Sequence, residues 1–136
     1  MSSLRFLDTN VLIYSVDSAE PKKRDRALSL LEDGDCGLSV QVLQEFYVQV
    51  TRATRADRLS HEQAAGLIDA WSRFPVQANT LAVMNAALRI KAAHGFSYWD
   101  SAIIAAARAL GCSQLLTEDM SDGREIDGVR IVNPFR

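Results

Sequence analysis

Four carboxylates far apart in the chain, Asp8, Glu45, Asp100 and Asp119, are the residues whose types and settings could do chemistry together. Asp8 closes the apolar run Leu4-Arg5-Phe6-Leu7, and Asp119 follows Gln114-Leu115-Leu116-Thr117-Glu118 in the same way. Asp100 shares a helical column with Ile103, Ile104 and Ala107, a face that should be buried. A buried, unpaired carboxylate costs on the order of several kcal/mol, so Asp100 needs a cation, hydrogen-bond donors or an edge open to water. Two carboxylates about 4 Å apart repel by about 4 kcal/mol at an effective dielectric near 20. A cluster of them must therefore hold protons or bind a divalent cation, and an all-oxygen donor set favours Mg²⁺ or Mn²⁺ over Zn²⁺. Each acid also has an ordinary reading. Asp8 alone reads first as a helix cap, Glu45 as a flank residue, Asp100 as a partner of the Ser97 amide, and Asp119 as a turn residue.

The elements that would carry these residues alternate between strand and helix. Residues 4–7 suit a short buried strand, and Asn10 onward suits the opening of a helix. Pro21 fits the first turn of a helix spanning residues 22–32, which Asp33-Gly34-Asp35 ends. Cys36-Gly37-Leu38-Ser39 reads as a second strand. The helix from Val40 carries an apolar stripe with Glu45 on its flank, in column with Gln49 and Arg52. Ser60-His61-Glu62-Gln63 is a capping box opening a helix to about Arg73, with His61 on the surface. Residues 76–78 form a weak third strand, and Asn79 or Thr80 caps the helix that His94-Gly95 ends. Ser97-Tyr98-Trp99-Asp100 resembles a capping box and opens a helix that is apolar nearly all round, which marks it as central. Residues 114–117 and 129–132 complete the strands, and residues 118–123 form an acidic loop.

Strands alternating with helices imply an α/β fold with a mainly parallel sheet covered on both faces. In such a sheet the strand ends open on one side, where ligands bind. Asp8 and Asp119 would meet there, with Glu45 leaning over the same edge from its helix. Glu118 and Asp122 compete with Asp119. Asp119 is preferred because the second residue beyond Thr117 returns to the same side. Ser39 and Thr117, at strand ends, could bond a ligand or orient a carboxylate.

Composition narrows the classes. The 136 residues are 48% hydrophobic and 24% charged, which fits one compact domain over residues 1–136. The net charge of -2 gives no overall basic field to attract nucleic acid. Lys22, Lys23, Arg24 and Arg26 read first as a solvated face; the sharper reading is a phosphate-contacting patch. No apolar run approaches the roughly 20 residues of a membrane span. Met1-Ser2-Ser3-Leu4-Arg5 has no charged leader followed by a long apolar segment, so a cytoplasmic protein without a signal peptide is expected. Cys36 and Cys112 lack metal-ligand spacing and read as buried free thiols.

With these pieces in place the chain resembles the PIN-domain ribonucleases, and within them the VapC-type toxins of type II toxin–antitoxin pairs. The resemblance rests on Leu7-Asp8-Thr9-Asn10-Val11-Leu12, Gln44-Glu45-Phe46, Tyr98-Trp99-Asp100-Ser101 and Leu116-Thr117-Glu118-Asp119, which occur in the family's order along nearly the whole chain. It implies a three-layer fold with a five-stranded, mainly parallel sheet between helices. It also implies a Mg²⁺ or Mn²⁺ centre held by Asp8, Glu45, Asp100 and Asp119, with polar support from Thr9 or Asn10 and from Thr117. Asp8 and Asp100 are the best candidates for direct metal contact. The implied reaction is endonucleolytic cleavage of RNA by metal-activated water, leaving 5′-phosphate and 3′-hydroxyl ends. Homodimers, and a cognate antitoxin whose tail fills the active-site groove, are implied as partners. Tyr47 and Trp99 would suit such a groove, although core packing is the commoner use of large aromatics.

Two other classes compete. A Mg²⁺-dependent phosphatase-like α/β domain with Asp8 as nucleophile would need a Lys or Arg placed near the phosphate, and no Lys follows the late strand. A non-catalytic RNA- or protein-binding module on the same fold would not need four intact acids.

Overall fold

The computed structural model describes residues 4–136, so the reading of Met1-Ser2-Ser3 lies outside the described residues. The elements run β1 (Arg5–Leu7), α1 (Thr9–Tyr14), α2 (Pro21–Asp33), β2 (Cys36–Ser39), α3 (Val40–Val50) and α4 (His61–Trp71). They continue with β3 (Val76–Gln77), α5 (Leu81–His94), α6 (Tyr98–Ala109), β4 (Gln114–Leu116), β5 (Glu125–Ile126) and β6 (Val129–Val132). The strand order is β3-β2-β1-β4-β6-β5. Neighbours are parallel except for the β5–β6 pair.

The mainly parallel sheet between helices agrees with the sequence, but it has six strands where five were expected. The added strand is β5. Asp127 and Gly128 both sit at positive φ, 50° and 88°, and make the tight turn that folds β5 back on β6. Both central residues of such a turn need positive φ, which is why Asp-Gly is a hairpin signal. That dipeptide was the missed cue.

The core forms where the sheet meets α1, α2, α3 and α6. Phe6, Leu7, Val11, Leu12, Leu30, Leu38, Phe46, Ile104, Leu115 and Ile131 are fully buried. On α6 every residue from Ser101 to Ala107 is buried, as the apolar run required. Small side chains on this helix let neighbouring elements approach closely. A comparable close approach sets Gly37 on β2. A Cβ there would lie 3.0 Å from Cys112 Sγ and 3.1 Å from Leu110 Cδ1. Cys36 and Cys112 are both buried and unpaired, and burial pushes each thiol up to about 11, so both stay protonated and inert. No helix among the described residues is long and apolar enough to cross a membrane.

The helix starts follow the capping signals. Ser39, Ser60, Thr80 and Ser97 each accept a backbone N–H from the first turn of the helix they open. At Ser60 the full reciprocal box forms with Gln63. Ser97 Oγ accepts the Asp100 amide at 3.1 Å. Each cap ends an extended segment and begins a helix at a defined residue, which fixes how far into α3 Glu45 lies and how early in α6 Asp100 lies.

Candidate active site

The parallel pairing of β1 with β4 places Leu7 opposite Leu116, so the residues that follow, Asp8 and Thr117, emerge side by side. The Asp8 amide donates to the Leu116 carbonyl at 3.0 Å and carries the pairing one step past the strand. Asp8 is also the N-cap of α1, and its Oδ1 accepts the Thr9 amide at 2.7 Å. The cap reading and the site reading describe the same residue. Its other oxygen, Oδ2, accepts from Thr117 Oγ1 at 2.8 Å.

Beside Asp8 opens a cavity of about 470 Å³ lined by Asp8, Glu45, Asp100 and Asp119, together with Thr9, Asn10, Trp99 and other residues of α1, α3 and α6. Glu45 arrives from the second turn of α3. Its Oε1 accepts from Thr9 Oγ1 at 2.5 Å, and among the described residues its Oε2 has only a long 3.5 Å contact from Gln41 Nε2. That same Gln41 amide donates to the Trp99 carbonyl at 3.3 Å and ties α3 to the start of α6. Asp119 is exposed, and its Oδ2 accepts from Asn10 Nδ2 at 3.1 Å. Asn10 also donates to Thr117 Oγ1 at 3.0 Å and accepts the Glu118 amide at 3.3 Å, so it stitches the loop after β4 to α1.

The rival acids turn elsewhere. Glu118 bonds Lys23 Nζ at 2.5 Å, and Asp122 accepts from Arg136 and from the Asn133 amide. Neither lines the cavity. Ser39 does not line it either. Its hydroxyl caps α3 by accepting the Val42 amide at 3.3 Å, and its side chain lies on an adjoining cavity of about 450 Å³. Gln41 was not anticipated. It is buried and lines the adjoining cavity, and a polar residue one helical turn before Glu45 was the available signal.

Burial dominates the electrostatics. Only 5% of Asp8 is exposed, and this burial pushes its carboxyl up to about 7. The bonds from Thr117 and Thr9 hold it down in part, while the charges of Glu45 and Asp100 raise it. Asp100 is raised in the same direction, first by burial and then by Asp119 and Glu45, against the lowering effect of Ser97. The acids thus sense one another across the cavity.

A hard divalent cation fits this donor set, because the available ligands are carboxylate and hydroxyl oxygens and the buried Asp8 charge needs compensation. Among the described residues, no three His, Cys, Asp or Glu side chains stand close enough to share one ion.

A mainly parallel α/β sheet with four carboxylates lining one cavity, two of them just past the carboxyl ends of β1 and β4 and two from α3 and α6, is the frame of this site. A model of the PIN domain family matches residues 5–121, and the chain belongs to that family. No curated protein matches it in sequence. Solved structures share the fold at low identity. A toxin–antitoxin complex from Klebsiella pneumoniae is 21% identical, with a TM-score of 0.69, over 96% of this chain and 97% of that one. The DNA-bound VapBC of Salmonella typhimurium is 20% identical, with a TM-score of 0.66, over 94% and 96%. Mycobacterium tuberculosis VapC20, a toxin that cleaves the sarcin–ricin loop, is 18% identical, with a TM-score of 0.60, over 82% and 86%.

Proposed function

We propose that this chain is a Mg²⁺- or Mn²⁺-dependent endoribonuclease, and that it acts as the toxin of a toxin–antitoxin pair. The observation that carries the reading is the Asp8 carboxyl, buried yet facing a cavity that also collects Glu45, Asp100 and Asp119. Membership of the PIN family supports the nuclease activity, and the toxins among its structural relatives support the toxin role.

In this reading Asp8 and Asp100 would hold the cation, and Glu45 and Asp119 would orient the water around it. A bound divalent cation would stabilise the charge on the attacking and leaving oxygens of an in-line displacement at phosphorus. The chain's own residues do the rest. Thr117 and Thr9 each bond one Asp8 oxygen and fix the plane of that carboxylate. Asn10 holds Asp119 toward the cavity, and Thr9 holds Glu45 by one oxygen. The freer oxygen, Glu45 Oε2, is positioned to take the proton from an attacking water. A cognate antitoxin and a homodimeric state in the cytoplasm belong to the same proposal.

The test is cleavage of total RNA by the purified chain with Mg²⁺ or Mn²⁺, with mapping of the new ends. Asp8→Asn and Asp100→Asn should each abolish cleavage and relieve the growth arrest caused by expression. Undiminished cleavage by either variant refutes the enzyme assignment. Cleavage without growth arrest refutes only the toxin role.

A further inference from the structure

None of the residues lining the acidic cavity is Lys or Arg. An RNA strand whose scissile bond enters that cavity must find its positive contacts on the flanks. We infer that the face formed by the first turns of α2 and by residues 134–136 is a subsite for the sugar–phosphate backbone of single-stranded RNA; this rests on the nuclease reading above.

A smaller cavity of about 220 Å³ lies on this face, lined by Lys22, Lys23, Arg26, Pro134, Phe135 and Arg136. Lys23 is committed to Glu118 and Tyr14, and Arg136 is paired with Asp122 at 3.1 Å. Lys22 and Arg26 are exposed, and neither takes part in an ion pair among the described residues. Arg26 Nε donates to the Pro134 carbonyl at 3.0 Å. That bond orients the guanidinium, and among the described residues neither terminal NH₂ group has a protein acceptor. A fixed, unpaired fork is the geometry that recognises a phosphate through two parallel hydrogen bonds.

The patch is joined to the acidic cavity through few atoms. Lys23 bonds Glu118, the Glu118 amide donates to Asn10 Oδ1, and Asn10 lines the cavity. The same link holds Asp119 and the patch in one register. A run of cations on an isolated helix would be a solvated face. Here two of them stand unpaired in a concavity built from two distant segments, beside the proposed hydrolytic centre. An acidic protein segment could also meet these charges, but adjacency to the centre and the free guanidinium fork favour a strand that continues outward from its cleaved bond.

The experiment measures binding of a short fluorescein-labelled oligouridylate at several salt concentrations. It uses the Asp8→Asn background so that the probe stays intact, with and without Lys22→Gln/Arg26→Gln. Each lost phosphate contact lowers the salt slope by about 0.7 for a single strand, so the double variant should lose about 1.4. The affinity advantage of the parent should then shrink about sevenfold over a roughly fourfold rise in salt. With Asp8 intact, the double variant should raise KM for RNA and leave kcat nearly unchanged. An unchanged slope overturns the inference, as does an equal loss in the charge-matched Arg89→Gln/Lys91→Gln pair on α5. Loss of poly-glutamate binding with an unchanged RNA slope overturns it in favour of an acidic protein partner. If the chain with Asp8 intact neither binds nor cleaves RNA, the nuclease reading itself fails.

Discussion

Replacing Asp8 with asparagine should stabilise the metal-free chain at neutral and alkaline pH while removing its response to metal. Between the ordinary carboxylate value of 3.8 and about 7, folded Asp8 holds a proton that the unfolded chain has released. The folded state therefore binds more protons in this window, and stability falls as pH rises through it. A gap of about 3 on the pH scale, at about 1.4 kcal/mol per unit, amounts to about 4 kcal/mol lost above pH 7. Asparagine has no such charge to bury. It keeps one acceptor where Asp8 uses two, so one of the bonds from Thr9 and Thr117 is lost, at about 1–2 kcal/mol. The net gain for Asp8→Asn above pH 7 is then about 2–3 kcal/mol, or roughly 6–9 °C in Tm for a chain of this size. Below about pH 4 the variant should be no more stable than the parent. Thermal denaturation across this pH range in EDTA measures the difference. Repeating the scan with Mn²⁺ at about a hundred times its dissociation constant should stabilise the parent by about 2.7 kcal/mol and the variant far less. A parent stability that stays flat from about pH 4 to pH 7 would refute the argument that burial governs the Asp8 charge.

Other changes test single links. Asn10→Ala removes the bonds to Asp8, Asp119, Thr117 and the Glu118 amide, and should weaken Mn²⁺ binding by about 10-fold or more while leaving the fold intact; calorimetric titration with Mn²⁺ reads it. Gly37→Ala drives a methyl against Cys112 Sγ and Leu110, and should cost about 1–3 kcal/mol in urea denaturation. Ser101 is fully buried and its Oγ has no hydrogen-bond partner among the described residues, so Ser101→Ala should raise stability by about 1–2 kcal/mol in the same assay; a loss of stability would refute the reading.

The local signals in the chain were strong. Ser60 with Gln63, Thr80 and Ser97 mark helix starts because a cap involves atoms only a few residues apart. The nearly all-apolar stretch after Asp100 announced a central helix, and α6 is buried from Ser101 to Ala107. The alternation of short apolar segments with helices gave the parallel α/β class, and the family resemblance agrees with membership of the PIN family. The β5–β6 hairpin was written in Asp127-Gly128, but two-residue strands have no periodicity to read.

What the tertiary structure alone decided is where each polar side chain spends its bonds. Glu118 and Asp119 are adjacent and chemically alike. The first is drawn away by Lys23, 95 residues earlier, while the second is held toward the cavity by Asn10, 109 residues earlier. Ser39 caps α3 in place of joining the acids, and Arg26 is left with an open guanidinium fork because Pro134 takes only its Nε. Sequence patterns report elements because backbone bonding and burial repeat at fixed intervals. The partners of a side chain depend on segments brought together only when the sheet closes, and the Asp8 charge depends on burial that exists only once those segments have packed.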